Sequence, residues 1–118
     1  MVPNHRPSTV HGGIQLVEPL NNTVPNFSYA PILIGREYPL SRDELYEKLR
    51  VHGIYARRYF FPLTSNMPMY RELPSASPHL LPVANQIADK VLCLPIYPDL
   101  SNESIDDIID LVDSSGRP

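Results

Sequence analysis

Arg57 and Arg58 stand side by side in the stretch from Gly53 to Tyr70, and Tyr59, Phe60 and Phe61 follow at once. Guanidinium forks match the oxygens of carboxylates and phosphates. The rings offer flat faces for a base or a sugar. Pro62 ends the run, because proline cannot donate to a sheet ladder. The polar turn Thr64-Ser65-Asn66 then leads into Met67-Pro68-Met69-Tyr70. Nowhere else in the chain do cationic, aromatic and hydroxyl groups lie so close together. The plainer alternative is that the arginines pair with surface carboxylates and the rings belong to the core.

Other chemistries find little support. His5, His11, His52 and His79 are far apart and lack the i, i+4 pairing of a helical zinc motif. Gly12-Gly13 is a turn before a strand, not a phosphate-cradling loop. Cys93 is the only cysteine, so neither an internal disulfide nor a cysteine-based zinc cluster is available. It reads as a small core residue. The two lysines, Lys48 and Lys90, lie on helices and read as surface charges.

Composition sets the frame for these groups. A chain of 118 residues is one domain. It is long enough to bury roughly two thirds of its unfolded surface. Hydrophobic residues make up 42% and charged residues 19%, which suits a globular domain. The net charge of −3 and the lack of a basic run argue against nucleic acid as a partner. No apolar run approaches the roughly 20 residues needed to span a bilayer. No apolar signal segment opens the chain, so a cytoplasmic location is expected. The 14 prolines are spread out and punctuate short elements.

Several elements can be placed. Met1 to Val10 has no periodic pattern and is expected to be flexible. Ile14 to Val17 is a short strand, and Phe27 to Ile34 a second. Pro31 in that second strand points to an edge or a bulge. Ser41-x-x-Glu44 is a capping box opening a helix over Arg42 to His52, with Leu45 and Leu49 stacked and Gly53 as its stop. Ile54 to Phe60 reads as a strand. Its alternation puts Arg58 on one face with Ile54, Ala56 and Phe60, and Tyr55, Arg57, Tyr59 and Phe61 on the other. A long segment follows, with one turn of helix expected at Met69 to Leu73. Pro82 starts a helix to Lys90 with Val83, Ile87 and Val91 as its buried stripe. Val91 to Leu94 is a buried strand. Ser101 caps a last helix with Ile105, Ile108, Ile109 and Val112 on its apolar face. The sum is an α+β domain: a small, mainly antiparallel sheet of three or four strands with two to four helices.

Several segments, in order, resemble a known family. Asn26-Phe27-Ser28-Tyr29-Ala30-Pro31-Ile32-Leu33, Asp43-Glu44-Leu45 through Gly53-Ile54, the Arg57-to-Tyr70 stretch, and Leu81-Pro82-Val83-Ala84 through Leu100-Ser101 are similar to the C-terminal end of the DegT/DnrJ/StrS sugar-nucleotide aminotransferases. Within that family the stretch is closest to members that aminate a keto-dideoxy hexose carried on thymidine diphosphate. The resemblance implies a flexible segment over 1–10, a small C-terminal domain over 11–113 and a tail over 114–118. It implies amino transfer from glutamate to a sugar ketone through pyridoxal phosphate in a full-length parent enzyme. It also implies that the Schiff-base lysine and the phosphate-binding residues lie in a large domain outside this sequence. The chain would then hold no cofactor and would not catalyse the reaction alone. Its share would be part of the substrate pocket: Arg58, Tyr59, Phe61, Thr64, Ser65 and Asn66. The expected partners are the large domain, the nucleotide-sugar and a second copy of the chain. A contrasting expectation is a stand-alone binding module that has kept the fold and presents a polar, self-sufficient surface. The fragment reading instead predicts an exposed apolar patch.

Overall fold

A computed structural model of the protein describes residues 9–116. Residues 1–8 of the segment expected to be flexible lie outside it, whereas Thr9 and Val10 belong to the first strand. Four strands form one antiparallel sheet in the order β1 (Thr9–His11), β2 (Ile14–Leu16), β3 (Ala30–Ile34) and β4 (Val91–Leu94). Three helices accompany it: α1 (Arg42–Val51), α2 (Pro82–Lys90) and α3 (Asn102–Ser115). The α+β expectation holds, and α3 runs past the boundary expected at residue 113.

The sheet is built by local rules with one instructive departure. Pro31 does not mark an edge strand, for β3 lies between β2 and β4. The register explains how an interior strand accepts it. Pro31 faces Cys93. The backbone N–H and C=O of Cys93 are both used on its other side, by Arg57 at 2.8 and 2.9 Å. The Pro31–Cys93 pair is therefore a non-hydrogen-bonded one. The nitrogen of Pro31 faces the β2 side, where pairing stops at Leu16 opposite Ile32. A missing donor costs nothing there. The regular strand starts at Ala30 rather than Phe27, whose φ is 55°.

Helix α1 begins with the full capping box. The Glu44 amide donates to the Ser41 hydroxyl at 3.1 Å, and the Ser41 amide donates to the Glu44 carboxylate at 2.8 Å. Such a cap contributes roughly 1 kcal/mol. Gly53, at φ 78°, takes the left-handed position just beyond the helix. Leu45 and Leu49 of α1 are wholly buried with Leu92 of β4, and each adds roughly 2 kcal/mol of apolar burial. Ile14, Ile32, Ile34, Tyr38 and Ala56 complete this core. The Tyr38 hydroxyl crosses the core's edge to donate to the Val112 carbonyl at 2.7 Å, tying α3 to the segment after β3. Burial pushes that phenol above its ordinary pKa, which keeps it a donor; the Ser115 hydrogen bond opposes this and Asp113 adds to it.

Two expected apolar faces are buried only in part. Of the α2 stripe Val91 is buried, but Val83 is 69% and Ile87 37% exposed, and Ala88 is buried beside it. Helix α2 therefore docks through its small residue, which lets its C-terminal end come close to α1. In α3 the buried line runs through Ile108 and Ser115, with Leu111 and Val112 packed beside the core, and Ile109 is exposed. The expected strand over Ile54 to Phe60 reduces to a single bridge at Arg57. Tyr59 and Phe60 form a turn, and Phe60 has φ 47°. At Met69 to Leu73 the chain makes a hydrogen-bonded turn rather than a regular helix, with the Arg71 amide donating to the Met67 carbonyl at 2.9 Å and the Leu73 amide to that of Tyr70 at 3.0 Å. Short 3-10 turns flank it at Thr64–Asn66 and Pro74–Ala76. Among the described residues no helix is long and apolar enough to cross a membrane.

Candidate functional site

The bridge between Arg57 and Cys93 divides the two arginines. Side chains alternate across an extended backbone, so neighbours leave in different directions. Arg57 lines a cleft of about 550 Å³ together with Tyr55, Cys93, Tyr97, Ser104 and Asp107. None of the residues from Arg58 to Asn66 lines it. Burial pushes the Cys93 thiol above its ordinary pKa, and the Arg57 guanidinium only partly offsets this. The thiol therefore stays protonated and is a poor nucleophile.

Arg58 leaves toward the start of α1. Its guanidinium carbon lies 4.8 Å from the centre of the Tyr46 ring and 5.4 Å from that of Phe61. One of its terminal nitrogens is 3.5 Å from the Asp43 carboxylate. Cation–π contact on both rings orients the flat fork. The simple alternation of a strand would have placed Phe61 on the opposite face from Arg58. The left-handed backbone at Phe60 breaks that alternation and returns the Phe61 ring to the same side. A left-handed non-glycine residue carries a cost of about 1–3 kcal/mol, and such costs gather at binding sites.

Beneath this pair lies a residue not singled out from the sequence, Arg42, which is 4% exposed. Its Nε donates to Asp43 at 2.8 Å. Its Nη1 donates to the carbonyls of Ala88 at 2.7 Å and Val91 at 3.1 Å. These carbonyls belong to the end of α2, where helix carbonyls lose their internal partners and the helix dipole is negative. Arg42 thus caps one helix from the first turn of another. Its guanidinium carbon also sits 4.7 Å from the centre of the Phe61 ring. Phe61 is therefore shared by two guanidinium groups, and Asp43 is shared by the same two.

The remaining expected residues follow along the loop. Tyr59 packs edge-on against Tyr29 at 5.0 Å and tilted against Phe60 at 4.4 Å. Phe60 is 66% and Phe61 41% exposed, so these rings are not core. Thr64, Ser65 and Asn66 form the first 3-10 turn. The Asn66 amide donates to the Asn85 side chain of α2 at 3.1 Å, and Asn85 is itself held by the Leu81 carbonyl at 2.8 Å. The hydroxyls of Thr64 and Ser65 make no side-chain hydrogen bond among the described residues. The structure thus strings Arg58, Tyr59, Phe61 and the 64–66 turn along one loop. That loop is anchored at its start by α1 and at its end by α2. Tyr29, Arg42, Asp43 and Tyr46 are the additional members.

Neither lysine belongs to this arrangement. Lys48 sits in α1 and Lys90 ends α2, and neither lines the cleft. Pyridoxal chemistry requires a lysine amine beside the bound ring. The donor set here does not fit that cofactor. Among the described residues no three His, Cys, Asp or Glu side chains group to hold a metal ion.

Comparison with known proteins places this geometry in context. The DegT/DnrJ/EryC1/StrS aminotransferase family matches residues 9–113. The chain is 58% identical over 84 residues to an Escherichia coli protein named dTDP-4-amino-4,6-dideoxy-D-glucose transaminase; that match covers 71% of this chain and 23% of the relative. It is 39% identical over 100 residues to a Shigella dysenteriae protein of the same name, covering 85% of this chain and 27% of the relative. The chain thus spans about a quarter of the length of these relatives. Its fold is that of part of the aminotransferase TlmJ from Streptoalloteichus hindustanus, with TM-score 0.73, 22% identity, and coverage of 90% of this chain and 27% of that one. A DegT/DnrJ/EryC1/StrS aminotransferase from Brucella abortus gives TM-score 0.70 at 20% identity with the same coverage.

Proposed function

Because the chain belongs to the DegT/DnrJ/EryC1/StrS aminotransferase family, we propose that it is the small-domain part of a pyridoxal-phosphate-dependent aminotransferase acting on a thymidine-diphosphate keto-dideoxy sugar. It supplies a wall of the substrate pocket through Arg58, Tyr59, Phe61, Thr64, Ser65 and Asn66. It does not transfer an amino group by itself. The observation that carries this reading is the Arg58 fork, within cation–π distance of both Tyr46 and Phe61 at the head of a loop of rings and hydroxyls. A charged fork, flat faces and short polar side chains are what a nucleotide diphosphate and a sugar ring require.

The surface supports the partner in this reading. Met69, Tyr70, Leu73, Leu80 and Val83 are all exposed. A self-sufficient module would have polar residues along this stretch, whereas a domain docked on a larger one covers them. The full enzyme, with its nucleotide-sugar and a second subunit, and a cytoplasmic place belong to the same proposal.

Two experiments test it. Titration of the ¹⁵N-labelled chain with thymidine diphosphate is expected to shift amide resonances within Arg58 to Asn66, with a dissociation constant on the order of a millimolar. Shifts confined to the Arg57 cleft, or none, would remove this segment from the pocket. Mixing with pyridoxal phosphate and borohydride is expected to leave Lys48 and Lys90 without a specific adduct. Stoichiometric trapping at either lysine would make the chain a catalyst in its own right.

A further inference from the structure

We propose that Asp43 is the positioning residue of the pocket wall: it holds Arg58 in register with the Phe61 ring so that the open edge of the guanidinium receives an anionic group of the ligand. This inference rests on the proposed function for the identity of the ligand, but not for the positioning itself. Asp43 accepts from the Nε of Arg42 at 2.8 Å and faces the Nη1 of Arg58 at 3.5 Å through the same carboxylate oxygen. Arg42 cannot move to follow it, because its Nη1 is held by the carbonyls of Ala88 and Val91. The Phe61 ring lies within reach of both guanidinium groups. The chain of constraint therefore runs from the end of α2, through Arg42 and Asp43, to Arg58 and the first residues of the loop. Among the described residues Asp43 is the one carboxylate paired with Arg58. The Nε and Nη2 edge of that fork stays available for a bidentate contact.

Two effects of removing the Asp43 charge oppose each other. Asp43 is 60% exposed, so as a counter-charge it is screened by water and competes only weakly for Arg58. As an anchor it removes the rotamer freedom of a long side chain before the ligand arrives, which is the larger gain. Positioning therefore predicts weaker anion binding without the charge, and simple charge competition predicts tighter binding.

The test uses the whole ¹⁵N-labelled chain and three forms: the natural one, Asp43→Asn and Asp43→Glu. Without ligand, Asp43→Asn is expected to lower the heteronuclear NOE of the amides from Arg58 to Asn66 and of the Arg58 side-chain Nε–Hε. The amides of the buried half of α1 should stay unchanged, and Asp43→Glu should restore part of the order. With thymidine diphosphate as probe, binding by Asp43→Asn is expected to weaken about threefold, a difference of about 0.7 kcal/mol, within what an exposed ion pair supplies. Unchanged order in the loop, or tighter binding of the probe, overturns the proposal. If thymidine diphosphate moves no resonance of the natural chain, the pocket reading fails, and the ligand-free measurement still decides the positioning.

Discussion

Replacing Gly13 by alanine is expected to lower the thermal unfolding midpoint by more than about 10 °C. Gly13 closes the β1–β2 hairpin at φ 94°, a conformation that side-chain-bearing residues rarely adopt. A Cβ there would lie 2.2 Å from the Tyr38 nitrogen and 2.7 Å from the Glu37 carbonyl carbon and the Tyr38 Cα. All three are backbone atoms, so no rotamer change relieves the overlap. The Gly13 carbonyl also accepts from the Gly35 amide at 2.6 Å, which pins the turn against the segment after β3. Moving the turn would displace Tyr38, whose ring is core and whose hydroxyl holds α3. Left-handed strain of roughly 1–2 kcal/mol and the backbone overlap together amount to about 4 kcal/mol. Gly12 is the internal control, for a Cβ there meets nothing within 4 Å. Circular dichroism melts of Gly13→Ala and Gly12→Ala that coincide would show that the hairpin does not rest on Tyr38 in this way.

The second large effect is expected from Arg42→Ala, at about 3 kcal/mol. The side chain is buried, and its loss leaves the carbonyls of Ala88 and Val91 short of a donor inside the fold. Each unsatisfied buried acceptor costs about 1–3 kcal/mol. Lost packing of the aliphatic stem and of the face against Phe61 adds to this. The signature is distinctive, because α2 passes directly into β4 with Val91 as its cap residue and no glycine between them. Hydrogen exchange should therefore rise first at the end of α2 and in the loop after Arg58, and later in α1. Arg42→Lys should recover only part of the loss, since an ammonium group lacks the fork that serves two carbonyls and a carboxylate together. Full stability in Arg42→Ala, by urea unfolding, would mean that water satisfies those carbonyls and that Arg42 is not the tie between the helices.

Arg42 also shows what a sequence conceals. It lies in the first turn of α1, where a positive charge opposes the helix dipole. Next to Asp43 and Glu44 it reads as one member of a solvated charge run. The mismatch with the dipole was the available signal, and it points to a tertiary partner without naming one. The partner carbonyls come from residues 88 and 91, far along the chain. Tyr46 was equally silent: its role on Arg58 depends on how α1 lies beside the loop. The exposed Val83 and Ile87 show the reverse case. Their helical spacing is a good apolar stripe, but spacing does not say which side of a helix the rest of the protein covers.

The sequence by itself determined the local punctuation of this protein. Ser41 with Glu44, Gly53, Pro82 and Ser101 set the helix ends, because caps and fixed backbone angles act over three or four residues. The buried strand over 91–94 was legible from its apolar run, whereas the strand expected over Phe27 to Ile34 is shorter and lies inside the sheet rather than at an edge. The residue types of the proposed pocket wall were also legible, because rings, forks and hydroxyls crowd into one short stretch. Only the tertiary structure decided where those groups point. Pairing of Arg57 with Cys93 sends the two arginines apart, and the turn at Phe60 brings Phe61 back to Arg58. Arg42 and Asp43 then connect the end of α2, the start of α1 and Arg58. Long-range pairing and backbone hand depend on contacts between residues that the chain keeps apart, and no local rule carries that information.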